Sequence, residues 1–461
     1  MSPASPERPQ PDETTNPLEH ALERIRVPFE AFLRDQTTSS LLLFTCMVAA
    51  LALANSPYAE AFSALLHTPI GVYLGDYRLE KSLSHWINDG LMPLFFFILG
   101  LEMKREILAG EFQDPRRGLL VICCAIGGMA APALVYLALN SNAPALQGWG
   151  IPMATDTAFA LGVLVLLGKR VPPGLVTLLV AIAIVDDMGA VLVIALFYTD
   201  TVDWSLLGSG SLALVLMLLL NVAGIRRAWP YALMSAALWA AFLFSGVHTT
   251  VAGILAALTV PASPSHGHRQ FMKRIKKLLS RVDDKREPRS PILGDAEAHE
   301  LIEEIENTAY QATTPLQRWE RTLETPVGLF VLPLFALANA GLSLTSEELL
   351  SALAAPATLG VGLGLVLGKF VGILGGCLLA IWTGLGRLPE GVLPGHVGGM
   401  ALVGGMGFTM SMFIATLAFG QNPELLAQAK VGILGGTFAA GALGALWLVW
   451  FARHRDSPST P

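Results

Sequence analysis

Five apolar stretches of the sequence contain ionisable residues, and these residues are the first candidates for chemistry. They are Asp89 in HWINDGLMPLFFF, Asp156 in MATDTAFALG, Asp186 and Asp187 in AIAIVDDMGA, His248 in SGVHTTVAG, and Lys369 in LVLGKFVGI. An ionisable side chain is costly to place within a membrane-spanning helix, so its presence there indicates a functional role.

The adjacent carboxylates of Asp186 and Asp187 are the least compatible with a purely structural role. Neighbouring residues on a helix point about 100° apart, so these two side chains do not share one proton as an aspartic-protease pair does. One carboxylate can therefore face an ion pathway while the other has a separate partner. Lys369, a cation deep in another apolar run, is the candidate partner. A buried ion pair that only fixes helix packing would leave the second carboxylate unexplained.

A carboxylate in such a place predicts the exchange of a proton for a small, hard cation. Removal from water favours the protonated form of a carboxylic acid, so the group can hold a proton near neutral pH. Once the proton has left, carboxylate oxygens are the ligands that sodium or lithium prefers, as they are for calcium and magnesium. Proton and cation then compete for one site, and competition at an alternating-access site is sufficient for obligatory exchange.

Two apolar runs are interrupted by residues that break helices. Asp156 follows Thr155 in a segment opened by Pro152, and a glycine-rich run, VGGMGFT, occupies 403–409. Interruptions in separate halves of a transporter predict a midplane site formed by the ends of half-helices. In that arrangement Asp156 neutralises positive N-terminal helix ends and Lys369 neutralises negative C-terminal ends. The alternative is that the glycines only permit close helix packing.

The composition indicates that these runs cross a membrane. The chain has 461 residues, of which 53% are hydrophobic and only 14% are charged, and its mean hydropathy is +0.56. A soluble domain is about 25% charged, and a chain with so few polar groups could not cover its surface in water. The net charge of −6 excludes a general nucleic-acid binder.

Cysteine content and motifs exclude further classes. The four cysteines lie in apolar runs, which predicts reduced, buried thiols and no disulfide framework. The sequence contains no Cys and His spacing typical of a metal site and no phosphate-binding loop. We therefore predict no cofactor, and ATP-driven pumping is unsupported.

Twelve apolar runs approach the length of about 20 residues that a membrane-spanning helix needs. They lie at 38–55, 84–103, 118–140, 152–168, 173–198, 205–222, 230–244, 247–261, 326–345, 356–382, 396–419 and 428–451. The sequence therefore predicts an all-α polytopic membrane protein, with spans 1–8 in 38–261 and spans 9–12 in 326–451. A small hairpin is predicted between the first two spans, at 67–82.

Lysine and arginine are distributed unequally between the two sides of the membrane. With both termini inside, the short inner loops and the parts of the tails nearest the spans carry 14 of these residues, and the outer loops carry 3. The cytoplasmic side therefore contains the N-terminal tail 1–37, the charged loop 262–325 and the C-terminal tail 452–461. The N-terminal tail is predicted to carry an amphipathic helix near 18–33 that lies on the membrane.

The loop 262–325 has a basic half at 266–289 and an acidic half at 295–306. Apolar residues at helical spacing in both halves predict two cytoplasmic helices. Two interpretations stay open. The helices are a solvated pair, or they form a regulatory arm whose basic half is held to anionic lipid.

Taken together, these motifs resemble the NhaA family of bacterial sodium/proton antiporters. The matching stretches include WINDGLMPLFFFILGLEMKRE, WGIPMATDTAFALGVL, AIAIVDDMGAVLVIALFY, SGVHTTVAG and GMGFTMSMFIA, and the resemblance runs from about residue 38 to residue 450. It implies twelve helices, an inverted repeat of two three-helix units, and a fourth and an eleventh helix that are unwound and cross at midmembrane. It also implies a bacterial inner membrane protein and is compatible with a homodimer formed through the hairpin.

The resemblance assigns roles to the buried charges. It implies that Asp187 is the main ligand for both the cation and the proton. It implies that Asp186 is a second essential carboxylate, which exchanges protons and pairs with Lys369. Thr155 and Asp156 would line the crossing. The implied activity is the electrogenic export of one sodium or lithium ion against two protons, by a transporter rather than an enzyme.

The family is usually activated at alkaline pH, and five positions match residues tied to that response. They are Glu102, Arg105, Glu106, His248 and Glu320. From the residues alone, the run EMKRE is typical of a solvated helix end, and His248 is typical of a hydrogen-bonded core histidine.

Three other functions compete with antiport. A sodium-coupled solute symporter would need a separate polar pocket for its substrate, and the sequence indicates none. An intramembrane aspartic protease could use Asp156 with Asp187, but it would leave the neighbouring carboxylate and the buried lysine unexplained. A Ser-His hydrolase using Ser245 and His248 lacks an orienting acid and an oxyanion hole.

Overall fold

Helices account for most of the chain. The computed structural model describes residues 36–74, 77–199, 202–263, 268–283, 296–343 and 345–456. The amphipathic helix predicted near 18–33 lies outside the described residues. The first helix, α1 (Gln36–Ala54), is followed by α2 (Ala59–His67), and the two meet at an angle of 114°.

A β-hairpin follows α2, as predicted for 67–82. Strand β1 (Pro69–Leu74) pairs antiparallel with β2 (Tyr77–Ser82), in a register that runs from Pro69 opposite Ser82 to Leu74 opposite Tyr77. It is the one sheet among the described residues.

The other elements are helices, in two groups on either side of the charged loop. Before the loop they are α3 (Met92–Ala109), α4 (Pro115–Leu139), α5 (Thr157–Leu167), α6 (Pro173–Phe197), α7 (Trp204–Val222), α8 (Ala228–Ser245) and α9 (Thr249–Thr259). From the loop onward they are α10 (His268–Asp283), α11 (Ala296–Ala312), α12 (Pro315–Pro326), α13 (Leu332–Asn339), α14 (Ser346–Ala354), α15 (Pro356–Leu363), α16 (Lys369–Trp382), α17 (Pro394–Val403), α18 (Phe408–Phe419) and α19 (Pro423–Asp456).

Several helices are extended by turns of a different pitch. A short helix at Leu83–His85 and a π-helix at Trp86–Leu91 lead into α3. A 3₁₀ segment, Ala145–Met153, precedes α5. Further π-helices, Val327–Val331 and Gly364–Gly368, join α12 to α13 and α15 to α16. Single 3₁₀ turns lie at Glu111–Gln113 and Gly168–Arg170.

The protein is an all-α, multi-pass membrane protein. Within the described part of the chain, 8 helices are long and apolar enough to cross a membrane, or up to 10 if each of two bent pairs is one span. A helical segment lies in each of the twelve predicted ranges, but two do not meet this criterion. One is α3, whose second half contains the charged run EMKRE, and the other is α9, which has only 11 residues. Length and composition alone thus account for eight to ten of the twelve predicted spans.

Two units of three consecutive segments share the same order, as a repeat requires. In the first, the broken segment that contains α5 lies between α4 and α6. In the second, the bent pair α17 and α18 lies between the α15–α16 segment and α19. The units pack through α4 and α16, where glycines let the backbones meet. A Cβ atom at Gly372 would overlap the carbonyl group of Gly127, and one at Gly376 would overlap that of Cys123.

The interior is mainly apolar, and a few charged side chains are buried in it together with uncharged polar ones. Asp156, Asp186, Asp187 and Lys369 lie among the helices of the two units, and Glu320 lies on α12. All four cysteines are free thiols. Cys124 and Cys377 are buried as predicted, whereas Cys46 and Cys123 are half-buried.

The end of the charged loop differs from the sequence prediction. The helical run that contains span 9 begins at Pro315 rather than near 326. Thr314 caps it by accepting a hydrogen bond from the N–H of Gln317, whose side chain in turn accepts one from the N–H of Thr314. Pro326 does not begin the helix, because the chain continues through it into the π-helix Val327–Val331. Glu320 therefore lies on a helix rather than in a loop.

Candidate functional site

Each of the two interrupted spans consists of two helical parts, and the ends of these parts lie at the same level of the helix bundle. In the first, the 3₁₀ segment ends at Met153, residues 154–156 are not helical, and α5 begins at Thr157. In the second, α17 ends at Val403 and α18 begins at Phe408, with a bend of 49° between them. Proline and glycine at these positions explain the breaks, since neither supports a continuous helix.

The two breaks touch each other. The backbone N–H of Asp156 donates to the carbonyl oxygen of Met406 at 2.6 Å, and the hydroxyl of Thr155 lies 3.0 Å from the carbonyl oxygen of Gly404. A Cβ atom at Gly407 would lie only 2.8 Å from the carbonyl oxygen of Ala154. The glycines of 404–407 therefore serve both predicted purposes, because they break the helix and let the two backbones approach.

Asp156 lies between the N-termini of two half-helices. Its Oδ1 accepts a hydrogen bond from the N–H of Phe159 in the first turn of α5, at 3.1 Å. Its Oδ2 accepts bonds from the N–H and the hydroxyl of Thr409 in the first turn of α18, at 2.9 and 2.6 Å. A carboxylate at this point offsets the positive ends of both helices, which is the position predicted from the sequence.

Lys369 and Asp186 form a fully buried ion pair. The Nζ of Lys369 lies 2.5 Å from Oδ2 of Asp186 and 2.9 Å from the hydroxyl oxygen of Thr155, and both charged residues are 0% exposed. Thr155 Oγ1 also lies 3.1 Å from Asp186 Oδ2. Lys369 was expected at the C-terminal ends of the half-helices. It reaches the end of α17 only through Thr155, which lies beside the carbonyl of Gly404.

Asp187 has the opposite environment. It is 1% exposed, and neither of its carboxylate oxygens has a hydrogen-bond partner in the part of the chain that the structure describes. The same holds for Oδ1 of Asp186. A buried carboxylate without donors is unfavourable unless it is protonated or bound to a cation. These three oxygens are therefore the ones available to a proton or a cation.

The described residues contain no group of three or more His, Cys, Asp or Glu that could hold a metal ion. The geometry thus offers carboxylate oxygens of two neighbouring residues rather than a closed metal cage. This is compatible with a cation that is transported and released.

Four of the five residues matched to a pH response come together at one end of α3. Arg105 Nη1 lies 2.6 Å from Oε1 of Glu320 on α12, and Arg105 Nη2 lies 3.7 Å from Oε1 of Glu106. Glu106 also accepts a hydrogen bond from the N–H of Glu111 at 3.1 Å. Glu102 lies about one turn earlier on α3, within electrostatic range of Arg105 and Glu320.

His248 lies at the opposite end of the helix bundle. It precedes α9, and its Nε2 lies 2.8 Å from the carbonyl oxygen of Tyr198. The other end of α9 is held near the charged cluster, because Lys104 donates to the carbonyl oxygen of Val260 at 2.6 Å. Asp89, the remaining ionisable residue of the apolar runs, lies apart from the crossing and 3.3 Å from Nδ1 of His85.

Thr409 was not singled out from the sequence, although it supplies two of the donors to Asp156. Its position in the first helical turn after the glycine-rich break was the available signal. Ser411, two residues further along α18, adds a further link, because its hydroxyl donates to the carbonyl oxygen of Ile151 at 2.8 Å.

Known proteins similar to this chain share one description. A family model described as Na+/H+ antiporter 1 matches residues 30–448. The chain is 47% identical to Na(+)/H(+) antiporter NhaA 1 of Saccharophagus degradans over 97% of each chain. It is 46% identical to NhaA 1 of Shewanella denitrificans, over 95% of this chain and 97% of that protein. It is 46% identical to NhaA of Sulfurimonas denitrificans, over 95% of this chain and 99% of that protein. The chain therefore belongs to the Na+/H+ antiporter 1 family.

Proposed function

We propose that this chain is a sodium/proton antiporter that exports one sodium or lithium ion in exchange for two protons by alternating access. The observation that carries the proposal is the state of Asp187, a buried carboxylate without a hydrogen-bond donor beside a buried ion pair. In this mechanism Asp187 holds either a proton or, together with Asp186, the alkali cation. The sequence leaves open whether Lys369 only pairs with Asp186 or itself exchanges a proton, and we propose the second of these. Because one ligand leaves before the other binds, uptake of the cation releases a proton.

The second proton comes from the neighbouring ion pair. Exchange at Asp187 alone would move one proton for each sodium ion and carry no net charge. A cation that binds between Asp187 and Asp186 competes with the ammonium group of Lys369 for the carboxylate of Asp186. We assign the second proton to Lys369, which gives it up when that partner is lost. Two protons for one sodium ion make the exchange electrogenic.

The conformational change of alternating access is proposed to take place where the two broken spans cross. Thr155 and Asp156 link the first break to the second through Gly404, Met406 and Thr409. The two breaks can therefore move as one body, and a small tilt about them exposes Asp187 to one side of the membrane and then to the other. The bound ion stays at the centre of the membrane while the side from which it is accessible changes.

The charged cluster at the end of α3 is the proposed site of the pH response. Glu102, Arg105 and Glu106 lie on α3, and Glu320 lies on α12, so protonation of these carboxyl groups would change the attraction between two helices. His248 is also assigned to the response, but at the opposite end of α9 it would act separately from the cluster.

The proposed cellular setting rests on the family, which implies a bacterial inner membrane, and on the charge distribution, which gives the orientation. We place the protein in the bacterial inner membrane, surrounded by lipid, with both termini in the cytoplasm. The cluster of Glu102 and Arg105 then faces the cytoplasm. A homodimer through the hairpin of β1 and β2 is compatible with this placement, and the role in the cell is sodium export and pH homeostasis.

Replacement of Asp187 by asparagine tests the proposal. The Asp187→Asn variant should insert and fold but lose sodium-dependent proton movement in everted vesicles, because an amide neither binds a proton nor carries a charge for sodium. The matched control is Asp203→Asn, since Asp203 is an exposed cap of α7 and asparagine caps a helix equally well. Unchanged exchange in Asp187→Asn would remove the basis of the mechanism. Movement of a solute with sodium in the wild-type protein would favour a symporter instead.

A further inference from the structure

The two helices of the charged loop carry opposite net charges. Helix α10 contains six lysines and arginines and one aspartate, a formal charge of +5 with histidine neutral. Helix α11 contains five glutamates and no lysine or arginine, a formal charge of −5. In the described part of the loop, α10 and α11 therefore form a charged two-helix layer. The proposed transport mechanism does not involve this layer.

Three lysines of α10 lie on the side of the helix opposite to its apolar residues, whereas Arg274 faces α11. Leu278 is 2% exposed, and with the half-buried Phe271 and Ile275 it lies on one side of α10 at helical spacing. The exposed residues Lys273, Lys276 and Lys277 lie on the opposite side and are called the basic face here.

Three glutamates of α11 lie on its outer side, away from α10. Glu300, Glu303 and Glu306 are exposed. Where the two helices meet, Arg274 Nη2 lies 3.5 Å from Oε1 of Glu304. The two helices are thus held together by apolar contacts and an ion pair. The outer side of α10 carries lysines, and the outer side of α11 carries glutamates.

This layer is attached to the membrane helices. The guanidinium group of Arg318 on α12 lies 3.9 Å from the ring centroid of Tyr310 on α11 and donates to the carbonyl oxygen of the same residue at 2.7 Å. It also donates to the carbonyl oxygen of Arg226, between α7 and α8, at 3.3 Å. The layer therefore has a defined position beside the ends of the spans.

We propose that the basic face of α10 docks on the anionic headgroups of the cytoplasmic leaflet. The proposal rests on the cytoplasmic location of the loop that is part of the proposed function. A layer with lysines on one outer side and glutamates on the other is oriented by a negatively charged membrane surface, with the lysines facing that surface. The apolar side of α10 is already used in packing on α11, so the attachment depends on charge and is screened by salt.

Quenching by labelled lipid measures this contact directly. Ser280 is exposed on the same side of α10 as the basic face, so a dye attached in the Ser280→Cys variant reports on its surroundings. The full-length protein is reconstituted in vesicles of phosphatidylcholine alone or with phosphatidylglycerol added, each with a nitroxide on a fraction of the headgroups. Wild-type protein taken through the same labelling gives the background from its four cysteines.

We expect strong quenching in the anionic vesicles at low salt, and little in neutral vesicles or at high salt. The triple variant K273Q/K276Q/K277Q should lose the quenching, and the matched triple variant K273R/K276R/K277R, which keeps the charge, should retain it. Equal quenching in neutral and anionic vesicles, or quenching that survives the glutamine substitutions, would overturn the proposal. Sodium-dependent proton movement, recorded on the same vesicles, separates failure of the docking from failure of the antiport mechanism.

Discussion

At the scale of single residues, Asp156 and Asp187 show how surroundings assign different roles to the same side chain. Asp156 accepts three hydrogen bonds from Phe159 and Thr409, so its charge is satisfied and its position is fixed. Asp187 accepts none from the described residues. A carboxylate that already has its donors gains little from a proton or a cation, whereas one without donors gains much from either. Asp187 is for this reason the carboxylate that we expect to exchange its ligand.

The pH dependence of sodium affinity tests the assignment of the second proton. When one proton competes with sodium, the apparent KM falls about tenfold for each unit by which pH rises, and a second displaced proton makes the fall steeper. We expect the steeper dependence in the wild-type protein. The Lys369→Arg variant should show the tenfold dependence and an exchange rate that no longer responds to membrane potential, because a guanidinium group does not deprotonate. The measurement is sodium-dependent proton movement in vesicles across a pH series, and a wild-type slope in Lys369→Arg would contradict the assignment.

Replacement of Thr409 tests the connection between the two breaks. The Thr409→Val variant loses the hydroxyl that donates to the buried carboxylate of Asp156, at an expected cost of about 1–3 kcal/mol. We expect a lower midpoint of thermal unfolding and slower transport. Thr409→Ser keeps the hydroxyl and should restore both. If the valine variant were as stable and as active as the wild-type protein, this hydrogen bond would have no role in holding the crossing.

At the scale of elements, α16 offers two glycines with contrasting surroundings. Gly372 faces the backbone of α4, where a Cβ atom would overlap the carbonyl group of Gly127, whereas Gly375 has no atom within 4 Å of a built Cβ. Gly372→Ala should lower stability by about 1–3 kcal/mol because it overpacks the contact. Gly375→Ala should be neutral or stabilise by about 0.5–1 kcal/mol through helix propensity. Thermal unfolding in detergent compares the two variants, and equal midpoints would show that the α4–α16 contact tolerates separation.

The helix breaks and their crossing at midmembrane were predictable, but the individual contacts between them were not. Pro152 and the glycines of 404–407 are local signals, because each acts on the backbone at its own position. The contact between Thr409 and Asp156 joins residues 253 positions apart in the chain, and nothing in the sequence around either of them identifies the other. Only the packing of the two units brings them together.

The start of α12 was misplaced for a different reason. Span 9 was predicted to begin near 326 because the apolar run begins there. The true beginning, at Thr314 and Pro315, lies in a polar sequence without the hydropathy of a span.

Four of the residues matched to a pH response proved to be neighbours, while His248 did not, because a linear motif does not tell which end of a helix bundle it occupies.

At the scale of the whole molecule, the distribution of lysine and arginine predicts the orientation of the chain. Green fluorescent protein fused after Pro461 should fluoresce, and alkaline phosphatase fused at the same place should be inactive, because the C-terminus is expected in the cytoplasm. The control is a pair of fusions in the loop that contains Asp203, which lies on the predicted outer side and should give the opposite result. Active phosphatase at the C-terminus would reverse the proposed topology and with it the direction in which the charged cluster faces.

The lack of donors around Asp187 also bears on how tightly the two ion flows are coupled. A carrier leaks when it returns across the barrier unloaded. Here the unloaded form would have to take a bare carboxylate through the occluded state with no hydrogen bond to support it, at a cost of several kcal/mol. About 4 kcal/mol is enough to slow that step roughly a thousandfold. In the proposed mechanism, the lack of donors that lets Asp187 accept either a proton or a cation therefore also prevents the empty transporter from changing its side of access, so that the ion gradient is not dissipated.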